Sequence, residues 1–345
     1  MTPAPPPGLD LTRLRGFLSQ RLPGLLTGPL RARLIAGGRS NLTYEVGDGR
    51  DVVVVRRPPL GHVLATAHDM VREFRVMSAL AGSAVPVPDA LALCEDPDVI
   101  GAPFYVMSRV DGDVLRSPEQ TAPLSEAQRA RLAERLVDCL ADLHGLDPDS
   151  VGLGDFGRPA GYLARQVRRW SEQLERSRSR QIPGLELLRD GLAASVPESA
   201  RAAILHGDYR LDNVIVRPVA DGELEIAAVL DWEMATLGDP LADLGLLVVY
   251  WDGLSGLDNP VASGAGATAG FPPGSVLVRR YAERTGADVD GLGWYVALGY
   301  FKLAVVLEGI HFRWQAGQTV GEGFERIGDA VPPLVQAGLA TLAEG

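Results

Sequence analysis

Residues 204–216 read ILHGDYRLDNVIV, an apolar run on either side of a polar centre. Short apolar runs bounded by polar residues are consistent with two buried strands joined by a loop. Within that loop Asp208 and Asn213 stand in the order D-x-x-x-x-N. This spacing suits a loop whose aspartate accepts the proton of an attacking hydroxyl while its asparagine holds a metal on nucleotide phosphates.

A second apolar run, residues 224–230, ends directly at Asp231 in the string VLDWE. A carboxylate just past a buried strand is where a second Mg²⁺ ligand is wanted. The two segments together predict a phosphoryl-transfer centre. The alternative is structural, because Asp and Asn are common turn formers whose side chains bond to the local backbone. His206 and Gly207 ahead of Asp208, with the later strand-borne carboxylate, favour the functional interpretation.

These strings, with GDPLADL at residues 238–244, resemble the aminoglycoside phosphotransferase family of kinase-like enzymes. The similarity is closest to the branch related to phosphotransferase domains fused to acyl-CoA dehydrogenases. The resemblance implies an α+β, bilobal protein-kinase-like fold with ATP and Mg²⁺ as cofactors. A small N-terminal lobe would carry an antiparallel sheet and one helix, and a larger C-terminal lobe would be mainly helical. Asp208 resembles the catalytic base, and Asn213 and Asp231 resemble the magnesium ligands.

The composition is that of an ordinary globular protein with room for two lobes or one large domain. Of 345 residues, 46% are hydrophobic and 22% charged, and the formal net charge is −11. This acidic balance argues against a nucleic-acid partner, which would select a basic surface. The basic residues are almost wholly arginine, since Lys302 is the one lysine. Cys94 and Cys139 fit neither a disulfide framework nor a metal cluster.

The N-terminus and the longest apolar region predict a cytoplasmic protein with no membrane partner. Residues 1–8 are proline-rich, lack the pattern of a signal peptide and are expected to be disordered. The longest apolar region, residues 292–310, contains Lys302 and Glu308. It predicts a buried helix rather than a membrane span. The oligomeric state stays open at this stage.

A glycine-rich turn is the first candidate nucleotide contact in the N-terminal lobe, which we place at residues 1–108. Residues 34–46, LIAGGRSNLTYEV, predict a β-hairpin with a tight glycine turn. Glycines there let backbone N–H groups approach phosphates without interference from a Cβ atom. The candidate nucleotide-binding residues of the turn are Gly37, Gly38, Ser40 and Asn41.

The strand predicted at residues 52–55 leads into Arg56, where a kinase-like lobe normally carries a phosphate-binding lysine. A guanidinium is permanently charged and binds phosphate in a bidentate manner, so Arg56 can take that role. The alternative is that Arg56 ends a strand in water. Helical periodicity over residues 65–81 places Glu73 beside an apolar face. Glu73 could pair with Arg56, as the αC glutamate of kinases pairs with its lysine, or be a solvated charge.

Two more strands are predicted, at residues 91–94 and 104–107, and the second runs into a turn. The resemblance identifies this turn as the hinge, where backbone N–H and C=O groups would hold adenine. The candidate nucleotide-binding residues of the hinge are Met107, Ser108 and Arg109.

The C-terminal lobe, residues 109–345, is predicted to be mainly helical and to carry the catalytic loop and the substrate pocket. Ser125 with Gln128 has the spacing of a capping box. His144, near the end of that helix, is expected to cap or pack rather than to catalyse. An arginine-rich helix at residues 162–180 is either a solvated face or a receiver of an anionic substrate. Further helices are predicted around residues 276–284, 291–315 and 324–343.

Three features follow Asp231 in the sequence. Asp239 before Pro240 predicts a helix start, with the aspartate as N-cap. Asp243 could brace the catalytic loop, as the resemblance favours, or be a first-turn acid that suits the helix dipole. Residues 253–273 are rich in glycine and alanine and could form an active-site lid or a plain surface loop.

The sequence thus predicts an ATP-dependent phosphotransferase that moves the γ-phosphate to a hydroxyl of a small molecule. Asp208 would be the base, and His206 and Arg210 are the other candidate catalytic residues. His206 is expected to bond to the loop backbone or to Asp231, in a bracing role. Alternatives are a non-catalytic nucleotide-binding module, a metal-dependent phosphohydrolase and a protein kinase.

The small-molecule acceptor stays open at this stage. The resemblance permits aminoglycosides, other antibiotics, sugars, choline-like alcohols and hydroxy acids. The branch related to acyl-CoA dehydrogenase fusions favours a hydroxylated acid or acyl derivative.

Overall fold

The computed structural model describes residues 6–35, 41–60, 69–254, 268–317 and 324–344. The chain forms two compact units. The N-terminal unit comprises Met1–Asp111 with Ala227–Glu233, and the C-terminal unit comprises Gly112–Ile226 with Met234–Gly345. Sequence analysis had placed residues 227–233 in the C-terminal lobe. They group with the N-terminal unit because the Val229 N–H donates to the Pro86 carbonyl at 2.8 Å and Asp231 contacts Arg56.

The N-terminal unit is built on a five-stranded antiparallel sheet in the order β1-β2-β3-β5-β4. Its strands are β1 Arg31–Leu34, β2 Leu42–Gly47, β3 Val52–Arg57, β4 Ala90–Cys94 and β5 Phe104–Ser108. The β-branched run in β3 suits this central position, since such side chains pack well on a pleated surface. Val53 and Val55 are buried on one face of the sheet. The hairpin predicted from residues 34–46 is confirmed in its two strands, which pair from Leu34 opposite Tyr44.

Two helices accompany this sheet in the described part of the unit. Helix α1, Leu11–Arg21, begins at Asp10, whose carboxylate accepts the N–H groups of Thr12 and Arg13. Helix α2, Met70–Leu80, begins at Asp69, whose side chain caps Arg72 N. An N-cap carboxylate satisfies backbone donors that the first turn leaves without partners. The predicted helix started at residue 65, and residues 61–68 lie outside the described part of the chain.

The C-terminal unit is mainly helical, as predicted. Its helices are α3 Pro118–Thr121, α4 Glu126–Gly145, α5 Tyr162–Ser177, α6 Leu185–Ala194, α7 Leu241–Val248, α8 Gly274–Thr285, α9 Leu292–Gln315 and α10 Val331–Glu344. The capping box at the start of α4 is confirmed, with Ser125 and Gln128 each bonded to the other's backbone. The last predicted helix began at residue 324. The helix instead starts at Val331, after a 3₁₀ turn at Ile327–Ala330.

Short strands frame the polar segment at residues 206–213. Strand β6, Ala203–Leu205, pairs antiparallel with β9, Thr236–Gly238. Strand β7, Val214–Pro218, leaves the segment and forms a two-stranded sheet with β8, Leu224–Val229. The apolar runs on either side are therefore strands, and the polar centre is the loop between them. Residues Ile204 and Leu205 are fully buried, which fixes the entrance to that loop.

Helix α9 is long and apolar enough to cross a membrane by length and composition, and 72% of its most apolar window is buried inside the protein. It packs against α5, α7 and α10. The two charged residues in the predicted apolar region both have partners. Glu308 accepts from Ser179 Oγ at 2.7 Å and pairs with Arg180 at 3.2 Å. Lys302 reaches the polar loop.

Candidate active site

The polar loop between β6 and β7 turns sharply at Gly207. This residue has φ of +83°, and a Cβ atom there would lie 2.6 Å from the Met234 carbonyl oxygen. Only glycine fits such a position without strain, because it tolerates positive φ and has no side chain to collide. The turn brings Asp208 directly after the end of β6.

Asp243, in the first turn of α7, braces this loop. Its carboxylate accepts the backbone N–H of His206 at 2.7 Å and that of Gly207 at 2.9 Å. His144 lies 3.4 Å from the same carboxylate and 2.8 Å from the Tyr281 hydroxyl. Burial raises the pKa of Asp243, but the hydrogen bond from His144 and the bonds of the loop outweigh it and lower the pKa. Of the two roles that the sequence left open for Asp243, the structure shows the brace.

Lys302 of α9 clamps the loop from the carbonyl side. Its ammonium donates to the Gly207 carbonyl at 2.5 Å and lies 5.5 Å from the ring centroid of Trp170. Gly207 is thus held through its N–H by the Asp243 carboxylate and through its C=O by the Lys302 ammonium. Lys302 is the one lysine of the chain, and no sequence motif indicated this role. Its scarcity in a chain rich in arginine was the signal that could have singled it out.

Asp208 and Asn213 are brought together by the 3₁₀ turn Leu211–Asn213. Asn213 Nδ2 donates to the Asp208 carbonyl at 2.8 Å and to Asp208 Oδ2 at 3.0 Å. Both bonds use the amide nitrogen, so the amide oxygen is the atom left to bind a cation. The D-x-x-x-x-N spacing therefore places the candidate base and one candidate metal ligand in direct contact.

The surroundings of Asp208 keep it ionised. Burial raises its pKa, but Arg210 and Lys302 nearby and the hydrogen bond from Tyr250 lower it below the ordinary range. Arg210 Nε lies 3.6 Å from Asp208 Oδ2. An ionised carboxylate at the end of a buried strand can accept a proton from an attacking group.

Tyr250 is a contact that the sequence did not reveal. It lies in a π-helical turn, Val249–Gly253, that extends α7. Its hydroxyl donates to Asp208 Oδ1 at 2.7 Å, and the Arg210 guanidinium carbon lies 4.7 Å from its ring centroid. Burial and the negative charge of Asp208 raise the pKa of Tyr250 well above its ordinary value, so the phenol remains a donor.

The other two candidate catalytic residues lie beside Asp208. His206 is fully buried, and its Nδ1 accepts the Asp208 backbone N–H at 3.2 Å. Of the two bracing partners predicted for His206, the structure shows the loop backbone. Arg210 bridges the two carboxylates of the loop, at 3.6 Å from Asp208 and 3.7 Å from Asp212.

The N-terminal unit holds a separate buried polar cluster around Glu73. Arg56 Nε donates to Glu73 at 3.0 Å, and its Nη2 pairs with Asp231. The Tyr105 hydroxyl and the Asn41 amide also donate to Glu73, each at 2.9 Å. Burial lowers the pKa of Arg56, but the surrounding acidic groups outweigh it and keep the guanidinium charged. The predicted pairing of Arg56 with Glu73 is therefore present, and neither residue is a solvated surface charge.

Asp231 and Asn41 have unusual settings in this cluster. Asp231 follows β8 with φ of +66°, one of two non-glycine residues with positive φ in the described chain. Such a conformation is strained and is often found at functional sites. Asn41 is 1% exposed, and its amide nitrogen also lies 3.3 Å from Glu233. Its predicted contact with nucleotide phosphates remains a prediction, as do those of Gly37, Gly38 and Ser40, which lie outside the described residues.

The predicted hinge lies at the end of β5. Ser108 N–H donates to the Asp89 carbonyl at 2.9 Å, so this group is already used within the unit. The side chain of Arg109 pairs with Glu45 and Asp111 on the surface. Adenine binding by Met107, Ser108 and Arg109 therefore remains a prediction. Of their backbone donors, the Ser108 N–H is already engaged by the Asp89 carbonyl. Most of the predicted lid, residues 255–267, also lies outside the described residues.

The donor chemistry of each candidate metal ligand suits a hard cation. Among the described residues, no group of three or more His, Cys, Asp or Glu side chains forms a metal cluster. Mg²⁺ is usually held by only one or two protein oxygens and completes its shell with water and substrate phosphates. The amide oxygen of Asn213 and the carboxylate of Asp231 are ligands of that kind.

These features are those expected of a kinase-like phosphotransferase. A sequence profile of the phosphotransferase enzyme family matches residues 31–276, and the chain belongs to this family. Over 339 residues it is 35% identical to acyl-CoA dehydrogenase family member 11 of Rattus norvegicus, covering 96% of this chain and 43% of that protein. It is 31% identical over 356 residues to the probable acyl-CoA dehydrogenase IBR3 of Arabidopsis thaliana, covering 97% and 43%. The chain thus spans less than half the length of these relatives.

Solved structures confirm the predicted fold class. A Ralstonia eutropha protein assigned provisionally to the aminoglycoside phosphotransferases superposes with a TM-score of 0.82 at 33% identity, covering 97% of this chain and 98% of that one. The GDP complex of aminoglycoside 2'-phosphotransferase-IIIa gives a TM-score of 0.63 at 16% identity, covering 97% and 99%. Viomycin phosphotransferase of Streptomyces vinaceus is 29% identical over 213 residues, covering 56% of this chain and 69% of that protein.

Proposed function

We propose that this protein transfers the γ-phosphoryl group of ATP to a hydroxyl of a small molecule. The observation that supports the proposal is the contact between Asp208 and Asn213, which joins an ionised carboxylate to an amide whose nitrogen is already used and whose oxygen is left for a cation. Asp208 would orient the acceptor hydroxyl and take its proton as the oxygen attacks the γ-phosphorus. The bond from that phosphorus to the bridging oxygen breaks, and ADP leaves.

Asn213 and Asp231 would hold Mg²⁺, which when bound neutralises charge on the phosphates. Arg56 would bind the phosphates from the N-terminal unit, held in place by Glu73. Most of the catalysis would come from positioning and charge neutralisation, because the transition state of phosphoryl transfer is loose. The brace formed by Asp243 and Lys302 would keep Asp208 in the orientation that this requires.

We infer that the acceptor is an anionic hydroxylated compound, such as a hydroxy acid or its acyl derivative. Two cations lie beside the candidate base: Arg210 Nε lies 3.6 Å from Asp208 Oδ2, and Lys302 donates to the carbonyl of the preceding residue, Gly207. A cationic setting attracts anionic groups and repels cationic ones. This favours a hydroxy acid over an aminoglycoside, although several structural neighbours are aminoglycoside kinases.

A non-catalytic nucleotide-binding module is the second candidate, and Arg56 at the usual lysine position is the observation that favours it. The guanidinium of an arginine has several N–H donors in a fixed plane and can bridge two carboxylates, whereas the ammonium of a lysine is less suited to bridging. Arg56 does so with Glu73 and Asp231. In that case the cluster would serve the fold of the N-terminal unit, and nucleotide binding would not lead to transfer.

The test is nucleotide consumption by the purified protein with Mg²⁺ and a panel of acceptors. The panel contains 3-hydroxybutyrate, a 3-hydroxyacyl-CoA, glucose, choline and kanamycin, each with ATP and with GTP. We expect turnover with the hydroxy acid or acyl-CoA and ATP. Turnover with kanamycin alone would contradict the anionic acceptor. Binding of ATP without consumption, across the panel, would favour the non-catalytic module.

A further inference from the structure

The two oxygens of Asp208 have different partners. Oδ2 accepts from Asn213 Nδ2 at 3.0 Å and faces Arg210 Nε at 3.6 Å. Oδ1 accepts from the Tyr250 hydroxyl at 2.7 Å. Because Oδ2 is tied to Asn213 and flanked by a guanidinium, Oδ1 is the oxygen better placed to receive a new hydroxyl. Oδ1 already accepts a hydrogen bond from one hydroxyl, that of Tyr250.

The hydrogen bond from Tyr250 to Asp208 is of the same kind as the one that the hydroxyl of a phosphate-accepting substrate must donate to the base. A general base has to lie within about 2.6–3.2 Å of the oxygen whose proton it takes. The phenol oxygen of Tyr250 lies within that range, with its proton directed at the carboxylate. A hydroxyl of the protein itself thus lies at the position on Asp208 where the hydroxyl of an alcohol substrate would bind.

We propose that the Tyr250 hydroxyl occupies the acceptor-hydroxyl position on Asp208 until an acceptor displaces it. The proposal rests on Asp208 being the base of the proposed phosphotransferase. A phenol in this position denies the base to water, so that hydrolysis of ATP in the absence of an acceptor is suppressed. An acceptor must then supply enough binding energy of its own to displace the phenol, which makes Tyr250 a determinant of specificity.

The local structure suits such a role. Tyr250 lies in a π-helical turn, a feature that often marks functional sites in helices. Its ring lies under the Arg210 guanidinium, whose central carbon is 4.7 Å from the ring centroid, and this contact does not use the hydroxyl. Burial and Asp208 raise the pKa of Tyr250 well above its ordinary value, so that the phenol keeps its proton and does not compete as a base.

The experiment compares wild-type protein with Tyr250→Phe, which keeps the ring and removes the hydroxyl. The probes are water and ethylene glycol, each supplied with ATP and Mg²⁺ in the absence of any larger acceptor. We expect ATP hydrolysis and transfer to ethylene glycol to rise about fivefold or more, the factor that one ordinary net hydrogen bond contributes. In the attack by water, the water oxygen bonds to the γ-phosphorus, Asp208 takes a proton from it, and the bond from the phosphorus to the bridging oxygen breaks as ADP leaves.

The control variant is Tyr295→Phe, which removes a hydroxyl bonded at 2.9 Å to Asp239, whose other carboxylate oxygen accepts the Leu241 N–H. It should leave both rates at the wild-type value. A lost structural contact would lower rates, so a gain specific to Tyr250→Phe supports displacement. Unchanged or lower rates in Tyr250→Phe, in a protein whose wild type transfers phosphate to a panel acceptor, would overturn the role of Tyr250 alone. A wild type that binds ATP but transfers to no acceptor would overturn the proposed function and this role together.

Discussion

Arg56 Nε lies 3.0 Å from Glu73 Oε2, with the arginine side chain 11% exposed and the glutamate 1%. This pair joins the central strand of the N-terminal sheet to helix α2. The same guanidinium also contacts Asp231, so that one side chain orders a helix residue and a candidate metal ligand together. The pair that sequence analysis inferred from a kinase-like pattern is therefore a structural connection within the N-terminal unit.

Arg56→Met should weaken both stability and nucleotide binding. It leaves the Glu73 carboxylate buried without its cation, and breaking a buried pair in this way costs about 3 kcal/mol. Urea unfolding and ATP titration by calorimetry measure the two effects. Arg56→Lys serves as the matched control, since it keeps the charge but cannot bridge both carboxylates. Its stability and its ATP affinity should lie between those of wild type and Arg56→Met. An Arg56→Met protein that binds ATP as tightly as wild type would remove Arg56 from the nucleotide site.

Lys302→Met should lower kcat by about tenfold while leaving the fold intact. The substitution removes the donor to the Gly207 carbonyl and a cation that helps to keep Asp208 ionised. Loss of one such bond costs about 1–2 kcal/mol, a factor of roughly ten in rate if it acts on the catalytic loop. Lys302→Arg keeps a cationic donor and should recover part of the activity. Equal kcat in wild type and Lys302→Met would show that the clamp is dispensable.

Gly207→Ala should be far more damaging than Gly222→Ala. Both glycines have positive φ, +83° and +74°, so both substitutions share the cost of placing a side chain in the left-handed region. At Gly207 the new Cβ also meets the Met234 carbonyl, whereas at Gly222 no atom lies within 4 Å. We expect the free energy of unfolding to fall by about 2 kcal/mol more for Gly207→Ala, measured by urea unfolding. Equal losses would mean that the loop can move aside.

Asp243→Asn should reduce stability in a pH-dependent manner. The folded-state pKa of Asp243 is lowered, so its charge stabilises the native state above its unfolded value of 3.8. That contribution is lost as the pH falls through the lower folded-state pKa. The free energy of unfolding of the wild type should therefore exceed that of the variant by about 2 kcal/mol at neutral pH. The difference should shrink on acidification below pH 3.8.

Urea unfolding of both proteins across this range is the measurement. Asp290→Asn, on an exposed connection, is the matched control and should match wild type at every pH. A stability difference between wild type and Asp243→Asn that stays constant with pH would show that the charge of Asp243 contributes nothing to the brace.

The sequence was informative where the physical rules are local. The D-x-x-x-x-N spacing depends on five consecutive peptide units, and it singled out Asp208 and Asn213, which the structure shows in contact. The capping box at Ser125 is likewise a rule of one helical turn. The strands on either side of the polar loop followed from short apolar runs.

Contacts between distant residues were not readable in the same way. Lys302 and Gly207 are 95 positions apart, and Tyr250 and Asp208 are 42 apart. Such pairs arise from how α7 and α9 pack, which no local pattern encodes. Arg56 and Asp231, 175 positions apart, were each singled out, but their contact was not predicted. Residues 227–233 follow the catalytic loop in sequence but group with the N-terminal unit for the same reason, because pairing between distant residues decides the grouping.

The measurement that tests the central claim most directly compares wild type with Asp208→Asn for phosphoryl transfer and for ATP affinity. The substitution keeps the shape of the side chain and removes the base. We predict that kcat falls by about 10²–10⁴, the usual contribution of a general base, while the Kd for ATP changes by less than about threefold. Transfer at the wild-type rate in Asp208→Asn would contradict the assignment of Asp208 as the base.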